Sequence, residues 1–251
     1  MSPPGSCMKA AGIFMSAPEK PSPHEISTLL RGELATIAGW IEECSMRCFA
    51  LHIGVIILGA GLYGAAMGWW RDPQQALYVA IKFPLIILLT TMGNALINGM
   101  LAPLLGLNIP FRQSFSAIVM SFAIAAAILG AFSPLMAFMV WNAPPMSPQA
   151  GSGATYSLIK LANVAVIAFA GTTGNVRLFQ TLARLGGSKA IAFRVLVAWL
   201  VGNLFLGSQL SWILRPFIGS PNLPVEFYRA TALHGNFYEN VFQTLRQIFN
   251  D

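Results

Sequence analysis

Five mainly apolar stretches, near 48–70, 75–99, 114–140, 156–176 and 190–213, alternate along the chain with short polar connections. Crossing about 30 Å of hydrocarbon takes roughly 20 helical residues, a length that each stretch reaches. A helix is the form expected, because a single segment in lipid must satisfy its backbone groups internally. The pattern predicts an all-α, polytopic integral membrane helical bundle of about five spans over residues 48–216.

Within the spans, polar and small residues predict how the helices pack. The first carries Gly54, Gly61 and Gly68 at heptad intervals, with Gly64, Ala60 and Ala65 near the same stripe. Small residues let a neighbouring backbone approach, so this stripe is the expected packing seam. Pro84 and Pro134 each remove a helix donor from the second and third spans. The fourth and fifth spans hold more polar residues and are expected to face protein instead of lipid. Trp69, Trp70 and Trp212 stand at span ends, where indole rings favour the headgroup layer.

Outside the bundle, residues 1–24 are rich in Pro, Ser and Gly and read as a disordered arm. Residues 25–47 read as an amphipathic interfacial helix, with Ile26, Leu29, Leu30, Leu34, Ile37 and Ile41 on one face. The tail, 217–251, contains a second amphipathic helix over 236–249, with Asn236 and Glu239 forming a capping-box-like start.

Composition strengthens the membrane reading: 55% of residues are hydrophobic, 10% are charged, and the mean hydropathy is +0.63. Charge sets the orientation, since cytoplasmic loops are enriched in Lys and Arg. With the N-terminus cytoplasmic, Lys9, Lys20, Arg31, Arg47, Arg112, Arg177, Arg184 and Lys189 flank the inner ends. The expected location is a bacterial cytoplasmic (inner) membrane. Five full spans then place the tail outside, and a re-entrant fifth stretch would return it to the cytoplasm. The net charge of +6 follows from this topology and from attraction to anionic lipid; nucleic acid is not an expected partner.

The polar inventory is one-sided. Between Asp72 and Glu226 there is no acidic residue, yet the interval holds Lys82, Lys160, Arg194 and Arg215 among its cations. Carboxylate-driven proton relays and divalent-metal sites are therefore not expected in the bundle, and no metal or cofactor is assigned. Toward the outer half fall Lys82, Lys160, Asn163, Asn203, Gln209 and Arg215, a candidate set for an anion or lipid headgroup. Toward the inner half fall Asn94, Asn98, Asn175, Arg177 and Arg194, a second polar layer. The alternative is plain: each cation lies within about two turns of a span end and can snorkel to the headgroups, while asparagines bond across helices as ordinary packing. His24, His52 and His234 have no metal-ligand spacing, and no Walker loop, zincin motif or nucleophile elbow occurs. No enzymatic activity is expected.

The segment LSWILRPFIGSP, with the GNFY that follows in the tail, resembles an uncharacterised family of bacterial polytopic membrane proteins. The resemblance covers mainly residues 200–243 and implies no established activity. Some members carry an automatic label for an actin-binding WASP-homology motif, after the LRPF segment. That motif belongs to a soluble helix followed by an extended strand, whereas Leu214, Arg215, Pro216 and Phe217 abut a span. Actin is not an expected partner.

The resulting expectation is a non-enzymatic scaffold or accessory subunit of a membrane complex. It would contact membrane lipids and could engage a protein through residues 26–41 or 236–249. The alternative is a channel or transporter for an anionic or lipid-like solute.

Overall fold

The computed structural model describes residues 46–146, 153–219 and 224–239, together with 242 and 246. The predicted arm, the 25–47 helix apart from its last two residues, and most of the 236–249 helix lie outside the described residues. Five helices follow one another: α1 (Met46–Gly68), α2 (Pro73–Leu104), α3 (Phe111–Trp141), α4 (Gly153–Leu185) and α5 (Lys189–Ile213). All five are long and apolar enough to cross a membrane, and the described chain contains no strand. The protein is an all-helical, multi-pass membrane protein.

Local chemistry sets the helix ends. Asp72 caps α2, its side chain accepting from the Gln74 amide at 2.7 Å, and Pro73 takes the first turn, where an N–H would have no partner. Ser188 caps α5 in the same way, and Gly187, at φ +64°, turns the chain between α4 and α5. α2, α3 and α4 hold 32, 31 and 33 residues, or about 45–50 Å each, so they overrun the hydrocarbon and extend past the predicted spans. The greatest excess is in α4, which carries Arg177 and Arg184 on its final turns.

The helices close into a ring in which α1 lies against α2 and α3, α4 continues from α3, and α5 returns to α2. A core of Ile56, Ala60, Ala117, Val119, Met120 and Ala123 fills the α1–α3 side, each at 0–1% exposure. α3 is the enclosed helix, with 50% of its most apolar window buried, against 22% for α4 and 17% for α5. The expectation that the fourth and fifth spans face protein is therefore overturned. Several of their polar side chains need no neighbouring helix because they bond back to their own turns. Thr173 donates to the Phe169 carbonyl at 2.9 Å, Asn175 to Gly171 at 2.8 Å, and Ser208 to Leu204 at 2.6 Å.

The small-residue seam is also redistributed. Gly64 and Gly68 meet α2, where an added Cβ would stand 2.6 Å from the Val79 carbonyl oxygen and 2.8 Å from that of Gln75. Gly59, outside the predicted heptad, forms the tighter crossing: it packs on the Ala126 carbonyl and faces Gly130 across α1 and α3. Gly54 meets nothing within 4 Å, so the heptad reading fails there. α2 runs through Pro84 and Pro103, and α3 through Pro134. Pro134 leaves the Gly130 carbonyl without its helical donor, and the Ser133 hydroxyl supplies one at 2.7 Å.

Candidate functional site

α2 carries the polar residues that matter. Gln75, Lys82, Thr90, Asn94 and Asn98 are all buried, and their spacing keeps them on one side of the helix for about 35 Å of its length. This stripe looks toward α5 and the segment that follows it. At its inner part the Asn98 amide donates to the Asn94 side-chain oxygen and to the Asn94 carbonyl. Asn94 in turn donates to Asn203 of α5 at 2.5 Å and to the Trp199 carbonyl at 3.3 Å. Gly202 makes room for this ladder, since a Cβ there would stand 2.5 Å from the Asn94 oxygen. The two sets that the sequence separates into an outer and an inner layer thus meet at Asn94 and Asn203, near mid-membrane.

At the other end the stripe holds the chain as it leaves α5. The Gln75 amide donates to the carbonyls of Pro216 at 3.0 Å and Phe217 at 2.9 Å. Lys82 is wholly enclosed: its ammonium donates to the Pro216 and Glu226 carbonyls, each at 3.4 Å, and lies 5.1 Å from the Phe227 ring centroid. Phe217 packs edge-on to Phe83, and Phe227 edge-on to Tyr78. The segment therefore folds back over α2 after the α5 exit.

α5 runs unbroken over its 25 residues. Its C-terminal end lies with the α1–α2 and α3–α4 connections, because Gln75 holds Phe217, Tyr156 donates to the Gly219 carbonyl at 3.4 Å, and Trp70 donates to Pro144 at 3.0 Å. Farther on, the Phe237 amide donates to Gln209 at 3.5 Å and the Tyr238 ring stacks on Phe205, bringing the chain back alongside α5. Asn236 accepts from the Glu239 amide at 2.8 Å.

The candidate anion set divides. Lys82 and Arg215 share the C-terminal segment, where Arg215 stacks on Trp212 with its guanidinium 3.7 Å from the ring centroid and donates to the Trp212 carbonyl at 2.7 Å. Lys160 is exposed on α4 beside Tyr156. Asn163 is buried and accepts from the Tyr63 hydroxyl at 2.9 Å, joining α4 to α1. Of the inner set, Asn175 is held by its own turn, Arg177 donates to Gln180 at 3.2 Å, and Arg194 is exposed. Trp69 is exposed as an anchor should be, but Trp70 is 8% exposed and clamps the 142–146 connection instead of facing headgroups.

Arg229 is the charged residue that sequence reasoning left out of the site. Its charge acts on both Lys82 and Arg215. Burial, with the like charge of Arg229 added, draws the Arg215 guanidinium down from its ordinary value. Glu226 is exposed and turns only its backbone oxygen to Lys82, while Asp72 caps α2. Gln75 and Thr90 were also missed, although their register with Lys82, Asn94 and Asn98 is visible in the sequence.

A groove of about 380 Å³ opens between α4 and α5, the loosest neighbours in the ring, lined by Thr172, Asn175, Val176, Phe179, Phe193 and Leu196. Its walls are mainly apolar. Among the described residues, no three His, Cys, Asp or Glu side chains converge on a common point. Comparison with known proteins returns no match to a family model, a curated protein or a solved structure.

Proposed function

We propose that this membrane protein is a non-enzymatic scaffold or accessory subunit of a larger membrane complex. One observation carries the reading: three buried polar side chains of α2, those of Gln75, Lys82 and Asn94, are engaged in holding α5 and the C-terminal segment. Gln75 and Lys82 bind the 216, 217 and 226 carbonyls, and Asn94 binds Asn203. Groups used this way brace the bundle and are not poised for chemistry. The segment they hold presents exposed Tyr228, Leu233, Tyr238 and Phe242, a set of aromatic and apolar side chains suited to a protein partner. A bacterial cytoplasmic membrane with the N-terminus inside fits the chain, since Arg47, Arg112, Arg184 and Lys189 gather at the end where α1 begins.

The test pairs two measurements on the full chain. Chemical cross-linking in native membranes should capture a defined protein through the tail, and removal of residues 224–251 should abolish the product while the helical circular dichroism persists. Reconstituted liposomes should show no anion-dependent flux. Flux that disappears in Lys82→Met would replace the scaffold with a transporter.

A further inference from the structure

Where the C-terminal segment folds back over α2, the Lys82 ammonium is met by backbone oxygens and an aromatic ring instead of a carboxylate. Pro216 and Glu226 bring their carbonyl oxygens to the same Lys82 ammonium, each at 3.4 Å. Arg215 precedes the first of these residues by one position and Arg229 follows the second by three, so the fold-back brings both stretches of backbone to the same ammonium, and the charge of Arg229 acts on Arg215. Neither Arg215 nor Arg229 has an acidic partner among the described residues. No acid exists between Asp72 and Glu226; of the described acids, Asp72 is engaged as a helix cap, Glu226 is exposed with its backbone turned inward, and Glu239 lies ten positions beyond Arg229 with its amide on Asn236. Three cations beside an apolar bundle repel one another and favour an anion that neutralises them.

The arrangement also selects the kind of anion. Two planar guanidiniums offer paired N–H donors that match the spacing of phosphate oxygens, and both are half-exposed and reachable. Trp212, on which Arg215 stacks, closes α5 at the level where indoles meet headgroups. We infer that Arg215 and Arg229 bind a phosphate oxyanion at this end of the bundle, either the phosphodiester of a lipid headgroup or free phosphate. Lys82 is a positioning residue beneath them. It is enclosed and does not touch the ligand, but it fixes the strap that carries Arg229. The inference is independent of the scaffold reading, because a transporter could bind the same anion.

Calorimetric titration of the full-length protein in detergent separates the two sources. Dihexanoyl phosphatidylglycerol and inorganic phosphate are titrated at matched ionic strength, with dihexanoylglycerol as the phosphate-free control. Saturable binding of the phospholipid alone identifies a headgroup site, and binding of both identifies a site that also takes free phosphate. Arg215→Gln and Arg229→Gln should each weaken binding about tenfold, Arg229→Lys less, and Lys160→Gln should leave it unchanged. Circular dichroism establishes that each variant is folded. Failure of both phosphate ligands to saturate, binding of the control as tight as that of the phospholipid, or equal affinity in the double Gln variant would overturn the inference.

Discussion

Lys82 reaches out of α2 to the backbone oxygen of Glu226, 144 positions later in the chain, at 3.4 Å. The contact is long for a hydrogen bond, yet it involves a fully enclosed ammonium whose other neighbours are the Pro216 carbonyl and the Phe227 ring. Burying a charge is costly, and carbonyl dipoles plus an aromatic face offset part of that cost. Lys82→Met should change global stability by less than about 1 kcal/mol, because loss of the contacts is countered by loss of the desolvation cost. The local effect should be larger: hydrogen exchange of the 224–229 amides should quicken by about tenfold or more, while the α3 amides stay protected.

The Asn94–Asn203 contact joins α2 to α5 at mid-membrane. A double-mutant cycle on Asn94→Ala and Asn203→Ala should return a coupling of about 0.6–1.7 kcal/mol in reversible unfolding from mixed micelles. Asn94→Ala alone should be the more harmful single change, since it also removes the donor to the Trp199 carbonyl and one of the two acceptors of the buried Asn98 amide.

Pro134 and Ser133 should behave as a pair. Ser133→Ala removes the donor that the Gly130 carbonyl receives and should cost about 1 kcal/mol. In a Pro134→Ala background the restored backbone N–H reaches the same carbonyl, so the Ser133→Ala cost should shrink toward zero. Additive costs in the four-way comparison would count against this account.

Much of the architecture was legible because the hydrocarbon thickness imposes a length that apolar runs reveal directly. Helix ends were less legible: hydropathy marks where lipid stops, whereas α4 continues through its polar 177–185 turns to Leu185. Polar residues in α4 and α5 misled for a physical reason, since Thr173, Asn175 and Ser208 satisfy themselves within one turn and leave no requirement for a neighbour. At the site, Lys82 and Arg215 were visible as cations in an acid-free interval. Their relation was not, because it runs through the backbone oxygens of Pro216 and Glu226, and a carbonyl carries no residue signature.

The glycines give a sharp contrast. A Cβ on Gly59 would fall within the Ala126 carbonyl, and the facing Gly130 leaves no slack, so Gly59→Ala must push α1 and α3 apart. The expected cost is about 1–3 kcal/mol. Gly54→Ala, with nothing within 4 Å, should be neutral or slightly stabilising because alanine favours the helix. Unfolding of the two variants side by side checks the pair, and a heptad seam would predict harm at both positions.

The ends of the bundle can be checked without any ligand. α5 is a full 25-residue crossing, and its exit is tied to the start of α2 through Gln75 and to the start of α4 through Tyr156. Two new cysteines, Asn142→Cys after α3 and Glu226→Cys in the fold-back, should therefore react with a membrane-impermeant maleimide from the same side in a background where Cys7, Cys44 and Cys48 are serine. A third, Arg112→Cys at the start of α3, belongs to the opposite end and should react only after the membrane is opened, or in vesicles of inverted orientation. Both Asn142 and Glu226 are exposed, so failure to react could not be blamed on burial. Labelling of Glu226→Cys together with Arg112→Cys would mean that α5 turns back within the membrane, and the strap over Lys82 would then have no place in the folded protein.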